Sequence, residues 1–430
     1  RQEVYQNFSR RQDAGLDLID ALTSAEHVES PVAVSENPLF RRGFGSVYDA
    51  LEESRMDKAR MEQSLAGNHP ADAQIIAGYE VYATDVTVHE HPEAETLPDR
   101  TQSRKGKGSP LQIGHRYSWL VRVIARTPSW CMPQSVERVG SQMTDSQVAA
   151  EQLKRLDGQS NRLKVVVADS LYCNQYFLGI LLTLQTIVAL VRMRSNMVLY
   201  EEPPERVKGQ RGRSRVHGAT FKLSAPSRTP EQSETVTLLN QQVRLAAWTG
   251  LHLRSLPLLA GLVLRVEFLK PDGTPRFKRP LFLFWTGPWS TPLADICYIY
   301  LWRFAIEHMF RFMKQHLGLT TSRSSALAHH ERWVWFCALA YSQLLLIRHE
   351  VADRRPPWQR PSTPATPRPL TARQVQRNAL AFLLDLAPLA SDTKPAGKGP
   401  GRPSGFHPKP RTRHRVIKKT KKTKKPAKSG

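Results

Sequence analysis

The stretch YLWRFAIEHMFRFMKQ, residues 300–315, decides how this chain reads. Apolar side chains recur at Trp302, Ile306, Met309, Phe310, Met313 and Leu317, which makes one buried stripe of a helix. Tyr300, Arg303, Glu307, Arg311 and Lys314 fall on the opposite face. Tyr300 to Glu307 and Glu307 to Lys314 are each seven residues, close to two full turns. One reading of that face is a solvated one, with Arg303–Glu307 and Glu307–Arg311 pairs worth about 0.2–0.5 kcal/mol each. The other requires Glu307 to meet carboxylates from elsewhere while its basic neighbours hold phosphate. Such an acid cluster is costly unless a cation neutralises it.

Two aspartates supply the carboxylates for the second reading. GYEVYATDVTVHE, 78–90, reads as a strand with Val81, Ala83 and Asp85 on one side. LKVVVADS, 163–170, is a strongly apolar run ending at Asp169, the pattern of a buried central strand. A lone Asp at a strand end is usually a cap or turn residue. Two at neighbouring strand ends, joined by Glu307, form a three-carboxylate site of the oxygen-donor kind that Mg²⁺ takes. Two ions about 3.5–4 Å apart would activate water and steady the leaving oxygen of a phosphodiester.

The bulk composition agrees with a folded polyanion binder. The 430 residues suffice for two or three domains, and 40% are hydrophobic against 23% charged. Lys and Arg number 62 against 38 Asp and Glu, a net charge of +24 that favours nucleic acid by long-range attraction. No apolar run reaches the roughly 18 residues of a membrane span. LLTLQTIVALV, 181–191, reads as core, and no signal peptide is visible. The four cysteines, Cys131, Cys173, Cys297 and Cys337, lie too far apart for zinc-ligand spacing, so reduced buried thiols and a cytoplasmic, nucleoid-associated protein are expected. The chain begins at Arg1 rather than Met, which reads as a clipped start.

Along the chain, residues 1–75 read as a helical N-terminal region, in which RRGFGSVYDAL is either a DNA contact or a support. Residues 76–194 alternate strand and helix. Within them, 99–109 reads as a polar loop, WCMPQSVERV as a short strand broken by Pro133, Thr144 as a helix cap and 174–184 as a helix. Residues 195–290 are β-rich, with the turn signal KPDGTP at 270–275. Residues 291–352 carry two long helices, about 292–317 and 328–350. A Pro-rich linker and short helix fill 353–390. The segment 391–430, with 14 Lys and Arg against Asp392, reads as a disordered basic tail that binds DNA without regard to sequence. Two further patches suit phosphate: Arg104, Lys105 and Lys107 in SRKGKGS, and Arg211 and Arg213 in GQRGRSR. Each is equally readable as a solvated loop. His308 and His316 have no partner at ligand spacing and stay outside the metal site.

The spacing Y300-x2-R303-x3-E307-x6-K314, with Asp85 in YATDVT and Asp169 in VVVADS before a β-rich block, resembles the Tyr-Arg-Glu-Lys signature of DDE transposases from bacterial insertion sequences. The likeness runs over roughly residues 35–350. It implies an α/β, RNase H-like mixed-sheet core interrupted by a β-rich insertion. The implied activity is Mg²⁺- or Mn²⁺-dependent hydrolysis at the ends of a mobile element, followed by attack of the freed 3′-OH on target DNA. Asp85, Asp169 and Glu307 would be the acid triad, with Arg303 and Lys314 gripping phosphate and Tyr300 against the DNA backbone. Arg311 joins them by helix geometry alone. The expected partner is double-stranded DNA, bound by a homo-oligomer, a dimer on the element ends. A base-stacking tryptophan is expected in the insertion, with Trp248 and Trp285 as candidates and ordinary core as the alternative. An RNase H-like nuclease without strand transfer, a DNA-binding relative that no longer cuts and a structural basic protein stand as alternatives.

Overall fold

The computed structural model describes residues 1–430 except 105–107, 127, 207–211, 355–357, 359–368, 394–400, 408–409 and 419–430. Lys105, Lys107 and Arg211 therefore lie outside the described residues. The N-terminal region comprises α1 (Gln2–Asn7), β1 (Phe8–Arg10), α2 (Gln12–Ser24), α3 (Gly45–Glu53), β2 (Arg55–Met56) and α4 (Lys58–Gly67), with β1 and β2 paired antiparallel. Arg41 and Arg42 both clasp Asp17 of α2, so these two guanidiniums are engaged inside the fold.

The centre is a mixed sheet. The short β3 (Ile75–Ile76) pairs with β4 (Tyr79–Glu90). β4, β6 (Gln112–Ala125) and β7 (Trp130–Val139) run antiparallel, with β5 (Thr101–Ser103) on the outer edge of β6. On the other side of β4 lie β8 (Lys164–Ala168) and β9 (Ile187–Met193), both parallel to it. A parallel return needs a crossover. It is made by α5 (Asp145–Asp157), whose start is held by a capping box between Thr144 and Gln147, as expected for that threonine. The order β7-β6-β4-β8-β9 is a mixed α/β arrangement consistent with an RNase H-like core.

After β9 the chain adds β10 (Val198–Glu201), β11 (Thr220–Lys222), β12 (Gln232–Leu238), β13 (Gln241–Leu253), β14 (Leu256–Phe268) and β15 (Leu281–Trp285). These strands prolong the same sheet, because β15 pairs antiparallel with β9. Helices cover both faces. On one, Val81, Ala83, Val165 and Val167 share a core with α8 (Phe304–His316) and α9 (Leu327–Leu346). On the other, Tyr82, Val166 and Ala168 meet α5 and α6 (Gln175–Leu178). α2 and α10 (Ala372–Leu384) contribute Leu18, Leu22, Val375 and Ala379 to the first of these cores.

Several expectations are corrected. The helix over 292–317 is two, α7 (Leu293–Leu301) and α8, joined by a tightened turn in which Arg303 N–H donates to the Tyr300 carbonyl and Ile306 N–H to that of Arg303. The helix over 174–184 is α6 followed by a 3₁₀ stretch, Gly179–Thr183. Pro133 does not break its strand: β7 is ten residues long, and the proline sits at an irregularity in its register with β6. The polar loop 99–109 contains β5. Part of the basic tail is docked as well. Ile417 N–H donates to the Arg100 carbonyl (2.8 Å), Gln102 N–H donates to the Ile417 carbonyl (3.1 Å), and His414 N–H donates to that of Glu95 (2.8 Å). An edge strand offers unpaired backbone groups, and β5 uses them on this segment.

All four cysteines are buried and free. Among the described residues, no helix is long and apolar enough to cross a membrane.

Candidate active site

Sheet register brings the two aspartates together. Ala83 of β4 is paired with Val167 of β8 in a parallel ladder. Two residues further on, Asp85 and Asp169 occupy matching positions on neighbouring strands, separated laterally by roughly 5 Å of backbone. Because side chains alternate, both share the parity of Ala83 and Val167, the face covered by α8. The α8 stripe of Ile306, Met309, Phe310 and Met313 is buried in that core, with the Phe310 ring edge-on to Trp119 of β6. This packing fixes the azimuth of Glu307, one residue past Ile306 in the first turn of α8. There the positive end of the helix dipole favours a carboxylate.

Arg303 joins the set. Its guanidinium donates to Asp85 Oδ2 at 3.1 Å and to Glu307 Oε1. The 3₁₀ register between α7 and α8 eclipses positions three apart and lines Arg303 up with Tyr300. Both side chains are buried, Tyr300 at 4% and Arg303 at 8% exposure, so the solvated-face reading fails for them. Arg311 and Lys314 are exposed further along the same helix.

The electrostatics follow from this crowding. Burial pushes the Asp85 carboxyl up to about 6; Arg303 opposes the rise, while the charges of Asp169 and Glu307 add to it. Asp85 Oδ1 also accepts from the Val86 backbone N–H (2.8 Å). Asp169 Oδ1 accepts from the Leu171 N–H (2.8 Å), which holds the chain as it leaves β8. Burial raises Tyr172, and the charges of Asp85, Asp145 and Asp169 reinforce that rise. The three acids feel one another, and Arg303 supplies the neutralising charge between two of them. Among the described residues, no group of three or more His, Cys, Asp or Glu side chains is arranged to hold an ion as it stands.

A cleft of about 1290 Å³ opens beside this cluster, with Tyr300, Arg303, Glu307 and Ser170 on its wall. Arg126, Arg192, Arg194, Arg276 and Arg279 also line it. None of these five was singled out from sequence. Strand alternation in IVALVRMR puts Arg192 and Arg194 on one side of β9 and would have found them. Phe277 lines the cleft at 57% exposure, with the Arg276 guanidinium 5.7 Å from its ring centre. Trp248 and Trp285 are core residues, at 2% and 0% exposure, with indole N–H groups donating to the Arg228 and Pro288 carbonyls. The base-stacking expectation fails for both. Arg104 and Arg213 are exposed and do not line this cleft. His308 hydrogen-bonds Ser129 Oγ at 2.8 Å.

Comparisons with known proteins agree with this geometry. The model of a family described as DDE superfamily endonuclease matches residues 3–254, more than half of the chain. That span includes Asp85 and Asp169 and stops short of Glu307. No curated protein matches. Among solved structures, the C-terminal lobe of a budding yeast Argonaute is similar at 9% identity and a TM-score of 0.19. The likeness covers 75% of this chain and 58% of that one, and nothing is argued from it. On the family match, the chain belongs to the DDE superfamily endonucleases.

Proposed function

We propose that the protein is a DNA transposase, with Asp85, Asp169 and Glu307 as its catalytic acids. One observation carries the reading: register sets Asp85 beside Asp169, and Arg303 ties Asp85 to Glu307 from a helix more than 200 residues later. A structural salt bridge needs one acid for one base. A third acid close enough to raise Asp85 calls for more positive charge than Arg303 brings.

The donor set fits a hard divalent cation, Mg²⁺ or Mn²⁺: three carboxylates and no thiol. Asp85, Asp169 and Glu307 would hold two such ions, which lower the pKa of bound water and stabilise charge on the leaving oxygen. The chain's own residues perform the rest. Arg303 exchanges its carboxylate partners for a phosphate oxygen as the cluster loads. Arg192 and Arg194 on β9 align the DNA backbone along the cleft, and Lys314 and Arg311 extend that contact beyond it. Tyr300 packs under Arg303 and keeps its guanidinium aimed at the cut. In the first step water adds to phosphorus and the 3′-oxygen leaves with a proton. In the second, that 3′-OH attacks a target phosphodiester and a target 3′-oxygen leaves. The two bonds broken and formed are of one kind, so no external energy source is required.

The working form is a homo-oligomer, a dimer holding two element ends, acting in the cytoplasm at the nucleoid. The family's description as an endonuclease favours one second reading, cutting without joining. Supercoiled DNA carrying the element ends, incubated with Mg²⁺ and a target plasmid, separates them. Cutting and joining support a transposase; cutting alone supports a nuclease; binding alone refutes both. Glu307→Gln is expected to retain DNA binding within about threefold and to lose cutting by at least about 10³-fold.

A further inference from the structure

Four histidines gather away from the carboxylates. His89 and His91 lie two apart at the end of β4, on one side of the chain. His115 of β6 stands opposite His89 in the ladder, and His330 comes from the first turn of α9. All four are buried, at 2%, 8%, 1% and 2% exposure. The ring centres of His91 and His330 are 4.7 Å apart, and each is 6.0 Å from that of His115. Along β4, His89 is four residues from Asp85, roughly 13 Å, so this is a separate place in the molecule.

The nitrogens carry the argument. His115 Nε2 lies 2.9 Å from the Pro98 carbonyl and His330 Nε2 lies 2.8 Å from the Ser324 carbonyl. A carbonyl only accepts, so both Nε2 atoms hold the proton and both Nδ1 atoms present a lone pair. Metal-ligating histidines are fixed in this way, with the second nitrogen donating to a backbone carbonyl. His115 Nδ1 and His91 Nε2 are buried without a hydrogen-bond partner, and so is His89 Nε2. A buried orphan costs about 1–3 kcal/mol, and three in one pocket ask for an occupant. Burial also lowers His91 to about 3 and His115 to about 4, which leaves the imidazoles neutral at pH 7.

We propose that His91, His115 and His330 form a structural site for a divalent transition-metal ion of the zinc class, clamping the ends of β4 and β6 to α9. Three imidazoles sharing one ion at a metal–nitrogen distance of about 2.0–2.1 Å have ring centres roughly 5 Å apart. The observed separations already approach that value. The rings as they stand do not close on an ion, so loading turns the imidazoles about their side-chain torsions without moving the backbone. Neutral nitrogen donors select zinc, nickel or copper over Mg²⁺, so the site does not compete with the carboxylates for the same ion.

The test uses the full chain, purified without a metal-affinity tag and dialysed against a weak chelator. Elemental analysis is expected to give about one zinc per chain, with Asp85→Asn unchanged and His91→Ala and His115→Ala each losing at least about tenfold in zinc affinity. Zinc retained at full stoichiometry in both histidine variants overturns the proposal. Should either variant fail to fold, Co²⁺ titration of the wild-type chain decides. Intense visible bands of a tetrahedral nitrogen site support the proposal, and a spectrum of hexa-aqua cobalt overturns it. The readout involves neither cutting nor DNA, so its failure leaves the transposase reading untouched.

Discussion

Replacing Arg303 by Ala isolates the interaction on which the carboxylate cluster rests. Arg303 is 8% exposed and bonded to Asp85 and Glu307. Its loss leaves Asp85 beside two other acids with no cation. Breaking a buried pair by removing one partner typically costs about 3–5 kcal/mol. Glu307 keeps 41% of its side-chain surface in water and adds little, so the lower end, about 3 kcal/mol, is expected at pH 7.5. The pH dependence has a defined sign. Arg303 stabilises only the ionised form of Asp85, whose carboxyl titrates at about 6 in the folded chain. Its contribution is therefore present above that pH and is lost as pH falls through it. At pH 5 the cost should shrink to about 1 kcal/mol. Urea unfolding of wild type, Arg303→Ala, Asp85→Asn and the double variant at both pH values measures this. Asp85→Asn should rescue most of the Arg303→Ala loss. Equal losses at the two pH values, or no rescue, refute the reasoning.

Three further outcomes follow from particular residues. Divalent binding needs an ionised Asp85, so Mn²⁺ affinity read by electron paramagnetic resonance should fall as pH drops below about 6; a flat profile from pH 7.5 to 5 contradicts the assigned ligand. Arg192→Ala with Arg194→Ala should weaken DNA binding without sequence preference and flatten the plot of log affinity against log salt by about 0.9 per lost phosphate contact, whereas an unchanged slope removes β9 from the interface. Gly318 has φ +61°, and a Cβ there would lie 2.6 Å from Val28 Cγ1 and 2.8 Å from the Val28 carbonyl oxygen. Gly318→Ala should therefore cost about 1–3 kcal/mol in unfolding, and a neutral effect would show that this helix end yields.

Much of the candidate site was legible because it rests on short-range periodicity. The apolar stripe of α8 and the strand parity of Asp85 and Asp169 are local patterns, and each is fully specified within about ten residues. What escaped was set by distant partners. Tyr300 and Arg303 look like a solvated face until Asp85 arrives 218 positions away in sequence to pair with the guanidinium. The tightened turn between α7 and α8 has no glycine or proline to announce it. Docking of Ile417 on β5 depends on an unpaired sheet edge more than 300 residues earlier, and an apolar-poor tail gives no hint of it. The histidine pocket stayed hidden for the same reason. His91, His115 and His330 come from three elements, and none has a second ligand at motif spacing.

The central claim is that Asp85, Asp169 and Glu307 act together on shared divalent ions. Anomalous diffraction from crystals soaked in Mn²⁺ tests it most directly. Manganese peaks are predicted between these three side chains, with the Arg303 guanidinium turned away from Asp85. A soaked crystal in which Arg303 still bridges Asp85 and Glu307, with manganese absent or bound elsewhere, would contradict it.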